Sequence, residues 1–235
     1  MKEQLFMLHF SGGSIYSFRR MFDKLNDFFT TEPVELPGRG MRFAEELISD
    51  RQAAVNDLLQ QILEKRNGQP FYIYGHSLGA EMGLLVTQQL ERLNDGPAYL
   101  VVSGNPGPNV RDEKLYNVPS SYFWEKLNEW GGVSAEILAN TELTEVFEPI
   151  LRADFGILEK DTAPITGRIH TPVLALMGSE EKNVHKILNW KEYVNGAFSH
   201  RILSGNHFFI YDHINTVCEM IINCKRTLSA SRSGN

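Results

Sequence analysis

Cysteine is scarce. Of 235 residues only Cys218 and Cys224 carry thiols, too few for a disulfide framework and not at metal-ligand spacing. They fall on different sides of one helix-like terminal stretch and are expected to be reduced packing residues of a cytoplasmic protein. No apolar run approaches the roughly 18 residues a membrane span needs, and Met1-Lys2-Glu3-Gln4 leads straight into a strand-like segment, so neither a span nor a signal peptide is expected. Positive charge is in deficit, 23 Lys and Arg against 29 Asp and Glu for a net charge of −6, which excludes a broad nucleic-acid-binding face. There is no Gly-Lys-Ser/Thr phosphate loop and no His-Glu-x-x-His, and Gly38-Arg39-Gly40 is too short for a dinucleotide fingerprint. No cofactor and no metal are expected. Internal repeats and low-complexity tracts are missing as well.

What is present is an alternation of short apolar runs with longer 3.6-periodic stretches, the pattern of a parallel sheet with crossover helices. With 42% hydrophobic residues the chain can build one sizeable core, and a single α/β domain over 1–235 is expected. Strands are expected over Leu5–Phe10, Pro33–Leu36, Phe71–Tyr74, Tyr99–Ser103, Val173–Met177 and Phe198–Leu203. Helices are expected over Phe43–Lys65, Leu78–Leu93, Lys186–Val194 and His213–Leu228. About seventy residues separate Ser103 from Val173, more than one crossover helix needs. Helical patterns there carry Tyr122, Phe123, Trp124, Leu127 and Trp130, then Ile137 and Leu138, then Val146 to Leu158, with Gly131-Gly132 as a break. Such an apolar insert is either extra core or a lid over a pocket.

Chemistry concentrates at Phe71-Tyr-Ile-Tyr-Gly75-His76-Ser77-Leu78-Gly79, an apolar strand entering Gly-x-Ser-x-Gly and then a helix. This is a nucleophile elbow in its structural context, with small residues on either side of a serine on a sharp turn. A serine nucleophile needs a base and an acid, which in this arrangement follow it at later strand ends. Gly178-Ser179-Glu180-Glu181 and Ser204-Gly205-Asn206-His207 occupy those places. His207 is the candidate base, and one of the two glutamates the acid. A tetrahedral intermediate needs two backbone N–H donors; Leu78 supplies one, and the glycine-bearing loop His9-Phe10-Ser11-Gly12-Gly13 supplies the other, placed at Ser11 with Phe10 next. His9 and His76 are expected to line the mouth of the site.

Together, Phe10-Ser-Gly-Gly-Ser, Leu36-Pro-Gly-Arg-Gly40, Tyr74-Gly-His-Ser-Leu-Gly79, Val102-Ser-Gly104, Leu151-Arg-Ala-Asp-Phe155 and Gly205-Asn-His-Phe-Phe209 resemble the stand-alone type II thioesterases of polyketide and nonribosomal-peptide synthesis, and their relatives in fatty acid synthesis. The resemblance runs from about Leu5 to about Ile222. It implies an α/β-hydrolase fold, a mostly parallel sheet flanked by helices, with a helical lid at about 115–165. It makes Ser77 the nucleophile, His207 the base and Glu181 the acid, where the family usually has aspartate, with Glu180 as fallback. Asn206 stands where glycine often precedes the histidine, and His9-Phe10-Ser11 where proline and alanine are common. The implied function is hydrolysis of acyl groups from the phosphopantetheine arm of acyl or peptidyl carrier proteins, clearing stalled or mis-primed synthases. Arg19, Arg20, Arg39 and Arg42 are candidate cations for docking an acidic carrier, and a monomer is expected. The alternatives are a small-molecule carboxylesterase or lipase-like hydrolase without a carrier partner, and a hydrolase-fold binding protein that has lost catalysis.

Overall fold

The computed structural model describes residues 1–233 apart from 111, 112, 132 and 134; Gly132 of the expected break and the side chain of Ile137 lie outside the described residues. Six parallel strands, β1 (Gln4–Leu8), β2 (Thr30–Val34), β3 (Phe71–His76), β4 (Tyr99–Ser103), β5 (Val173–Gly178) and β6 (Phe198–Leu203), form one sheet in the order β2-β1-β3-β4-β5-β6. The inner strands are buried along almost their whole length, and mostly apolar, because both faces are covered. Along β3, Phe71 and Ile73 enter one core while Tyr72 and Tyr74 enter the other; β5 divides the same way, Val173, Ala175 and Met177 against Leu174 and Leu176.

Helices α2 (Arg51–Lys65) and α3 (Leu78–Arg92) bury Leu58, Ile62, Met82 and Leu84 against the first face. Helix α1 (Arg19–Leu25) and the terminal helix Ile214–Ser233 bury Met21, Leu25, Val217 and Ile221 against the second. Cys218 and Cys224 are free thiols, buried among those residues.

Several boundaries differ from the sequence expectation. The helix expected from Phe43 starts at Arg51, where the Asp50 side chain accepts the Ala53 N–H. The residues before it fold back instead: Leu47 fills the space beside Gly38, and Arg42 binds both Glu45 and Asp57. Strand β2 begins three residues before the expected Pro33–Leu36 and stops at Val34 because β1, its only partner among the described residues, ends at Leu8 opposite Val34. As an edge strand its first residues are polar, which hides it from a search for apolar runs. The stretch expected as an α-helix near Lys186 is a 3₁₀ helix, Val184–Tyr193.

Between β4 and β5 stand α4 (Ser120–Glu129), α5 (Ala135–Leu138) and α6 (Thr141–Glu159). Of these, α4 and α6 share a separate apolar cluster of Leu115, Phe123, Leu127 and Leu151, with Tyr122, Trp124, Trp130 and Phe155 against it. The last turn of α6 reaches the sheet, Ile157 being part of the first core with Leu158 against it.

Candidate active site

The strand order reverses around β1, which pairs with β2 on one side and β3 on the other. A crevice at their carboxyl ends is where α/β sheets bind ligands. The turn from β3 into α3 puts Ser77 there with φ 55° and ψ −112°, a left-handed conformation a serine adopts only when its surroundings impose it. Both glycines of the motif are sterically required. A Cβ on Gly75 would run into the Gly79 carbonyl, and one on Gly79 into the Leu8 carbonyl at the end of β1. The Ser77 N–H donates to the Ser103 carbonyl (2.8 Å) and Asn105 Nδ2 donates to the Ser77 carbonyl (3.3 Å), so the turn is tied to β4.

Two later turns interlock. After β5 the Ser179 N–H donates to Leu203 O (2.7 Å) and the Glu180 N–H to Gly205 O (3.0 Å). Gly178 has no room for a Cβ against the Asn206 carbonyl. This brings Glu181 under the next loop, where Oε2 accepts from His207 Nδ1 (2.8 Å) and Oε1 from the Gly178 N–H (2.8 Å). Glu180 is exposed. The His207 ring lies 4.9 Å from that of His76, the neighbour of Ser77.

His76 and His9 do not line the mouth as expected; both are buried, 0% and 3% exposed. His76 Nδ1 bonds the Ser103 hydroxyl (2.8 Å), which also meets the Tyr74 hydroxyl (2.9 Å). Burial, and then the neighbouring His207, hold the His76 pKa well below its ordinary 6.5, so a neutral ring backs the His207 imidazole. Gly104, at φ 61°, leaves the space that ring occupies. His9 sits in the loop after β1. Its Nε2 accepts the Leu36 N–H (3.2 Å), which puts its proton on Nδ1, and Nδ1–H donates to the Phe10 carbonyl (2.8 Å). Burial, and then the Arg39 charge, push the His9 pKa down to about 4.

The same Phe10 carbonyl accepts the Gly13 N–H (2.8 Å). A trans peptide holds its N–H opposite its C=O, so two donors on Phe10 O also fix the direction of the Ser11 N–H. Leu78 is the first residue of α3, and N–H groups in a helix's first turn have no intrahelical acceptor. The loop and the elbow therefore offer two backbone donors at the ends of adjacent strands.

Two of the four expected docking cations are otherwise engaged. Arg39 is 3% exposed and makes a bidentate pair with Asp154 of α6 (2.6 and 2.8 Å), and the Gly12 N–H donates to the same carboxylate (2.7 Å). Arg42 is held by Asp57, Glu45 and the Glu35 carbonyl. A guanidinium with both edges occupied presents little charge to a partner. Arg19 and Arg20 are exposed at the start of α1. Sequence reasoning missed Asp154 and the structural part of Arg39, although the Leu36-Pro-Gly-Arg-Gly40 and Leu151-Arg-Ala-Asp-Phe155 segments were its signal. Among the described residues no three His, Cys, Asp or Glu side chains converge as a metal site, and no helix is long and apolar enough to cross a membrane.

Comparison with known proteins agrees with this architecture. A family model described as Thioesterase domain matches residues 3–224. The chain is 28% identical over 215 residues to Linear gramicidin dehydrogenase LgrE of Brevibacillus parabrevis, covering 88% of this chain and 81% of that one. It is 25% identical over 222 residues to the medium-chain S-acyl fatty acid synthase thioesterase of Rattus norvegicus, covering 91% and 84%. The solved structure of ClbQ from the colibactin NRPS/PKS pathway superposes with a TM-score of 0.89 at 26% identity, covering 98% of this chain and all of that one.

Proposed function

The chain belongs to the thioesterase domain family, and on that premise we propose that it removes acyl groups from the phosphopantetheine arm of an acyl or peptidyl carrier protein, with Ser77, His207 and Glu181 as its catalytic residues. Ser77 Oγ attacks the thioester carbonyl while His207 Nε2 takes its proton; the resulting oxyanion is held by the N–H groups of Ser11 and Leu78. The carbon–sulfur bond then breaks, and His207 Nε2 returns the proton to the departing pantetheine thiolate. Water, deprotonated by the same nitrogen, hydrolyses the acyl-serine and restores the hydroxyl. Glu181 fixes the tautomer that leaves Nε2 available and balances the imidazolium charge.

The observation that carries this reading is the 2.8 Å hydrogen bond from His207 Nδ1 to Glu181, formed beside a serine in a strained turn. The relatives, named for gramicidin, fatty acid synthase and colibactin pathways, support a carrier-bound acyl thioester as substrate. α4 to α6 act as a lid in this reading; their position supports it, since Gly131 at the end of α4 lies against Asn206 and Leu151 of α6 packs on Gly12. The protein works as a cytoplasmic monomer that meets its carrier transiently.

The test is thiol release from an acyl carrier protein and from butyryl-pantetheine, followed with a thiol reagent. Ser77→Ala should stay folded, because a smaller side chain adds no crowding at the elbow, and should lose at least about a thousandfold in kcat. Turnover above that level would assign the attack to another group.

A further inference from the structure

Of the polar groups buried around the site, the mechanism leaves Arg39 and Asp154 without a part. Asp154 is 0% exposed, and its carboxylate accepts from three donors, two on Arg39 and the backbone N–H of Gly12. A buried ion pair is costly to assemble and is a poor means of stabilising a core. Here it has a directional result. Gly12 follows Ser11, and its φ of 77° places it where a Cβ would stand 2.8 Å from Leu151 Cδ2. Leu151 and Asp154 are one turn apart on α6, so that helix holds Gly12 through an apolar contact and a charge-assisted hydrogen bond together. On the other side His9 and the Gly13 N–H hold the Phe10 carbonyl. The Phe10–Ser11 and Ser11–Gly12 peptides are thus clamped from both ends, the second end being part of the insert.

We propose that Asp154, charged and oriented by Arg39, is a positioning residue for the Ser11 oxyanion donor, so that the donor is aligned only while α6 is seated on the loop. The insert then controls transition-state stabilisation as well as access to the pocket. The inference rests on the serine thioesterase reading.

Single substitutions would strand a buried charge, so the test compares two doubles. Arg39→Met/Asp154→Asn removes both charges and retains a carbonyl acceptor for the Gly12 N–H; Arg39→Met/Asp154→Leu removes the acceptor too. With butyryl-pantetheine as substrate, the Leu double should show kcat lower than the Asn double by about 10- to 100-fold with KM little changed, since the loss falls on the transition state. Affinity for butylboronic acid, which places an oxygen where the oxyanion forms, should fall in parallel, while affinity for a non-hydrolysable butyryl amide of aminopantetheine should hold. Equal kcat in the two folded doubles overturns the proposal, as does equal loss of affinity for both inhibitors. Hydrogen exchange of the wild-type protein needs no variant: butylboronic acid should protect residues 150–155 of α6 together with residues 10–13, and protection of the loop alone overturns the coupling even where a double fails to fold. Wild-type turnover that survives Ser77→Ala overturns the underlying reading and this inference with it; normal serine-dependent turnover with equal doubles overturns this inference only.

Discussion

A carboxylate bonded to histidine Nδ1 both selects the tautomer and balances the charge that appears when Nε2 takes a proton. Glu181 has that bond and a second one to the Gly178 N–H, whereas Glu180 is exposed. Glu181→Gln should therefore lower kcat by about 10³- to 10⁴-fold in the thiol-release assay, with Glu180→Gln unchanged; the reverse order would move the acid by one position. The sequence brings a histidine and a pair of carboxylates to neighbouring strand ends, but adjacent glutamates differ only in which way each points, and the backbone bonds between the two turns decide that. His9 was harder to read. A histidine in a glycine-bearing loop suggests a wet site, and its burial is settled by Leu36, a residue of another strand's loop. Unfolded, His9 takes a proton near 6.5; folded, only near 4. The native state binds fewer protons between those values, so stability is lost as the pH falls from about 6.5 toward 4, by about 3 kcal/mol for this residue. His9→Asn keeps a donor for the Phe10 carbonyl and loses the titration. Its deficit in unfolding free energy should shrink between pH 7 and about 4.5 in urea melts, and a constant deficit would mean that His9 does not titrate there.

The elements most legible in the sequence are those whose neighbours cover both sides, β3 and β5 above all, because their apolar runs are continuous. The least legible are β2 and the start of α2, where edge polarity and a back-folded segment override local pattern. The insert lies between these cases, its helices readable from Phe123, Leu127, Leu151 and Phe155 but not their attachment. Arg39 and Asp154 stand 115 residues apart, beyond the reach of any periodicity. That attachment divides the insert. The carboxyl half of α6 is pinned by Asp154 and by Ile157 in the sheet core, and the Glu159 carboxylate accepts the N–H groups of Leu115 and Tyr116, while α4 packs on the small cluster of the insert and bonds Glu148 of α6. Backbone amides of Tyr122–Glu129 should exchange with solvent faster than those of Ile150–Leu158, since local opening follows the apolar contact that holds a segment. Equal protection would make the insert one rigid layer.

For the molecule as a whole, a net charge of −6 gives no long-range attraction to an acidic partner, and docking must be local. With Arg39 and Arg42 bound to internal carboxylates, the exposed Arg19 and Arg20 on α1 are the remaining candidates. Reversing both to glutamate should raise the apparent KM for an acyl-carrier substrate, more at low salt than at high, and leave butyryl-pantetheine hydrolysis unchanged. Equal effects on both substrates would place these arginines in the fold or pocket; no effect on either would move docking to another face. The turns after β5 and β6 also matter for exchanging parts between relatives. They are joined by backbone bonds at Ser179 and Glu180 and by the side chain of Glu181, and Gly178 tolerates nothing larger beneath Asn206. In recombination these two stretches are a single heritable unit. A crossover between Glu181 and His207 would pair an acid from one parent with a histidine loop shaped in another, whereas crossovers before Val173 or beyond Phe209 pass the unit on whole.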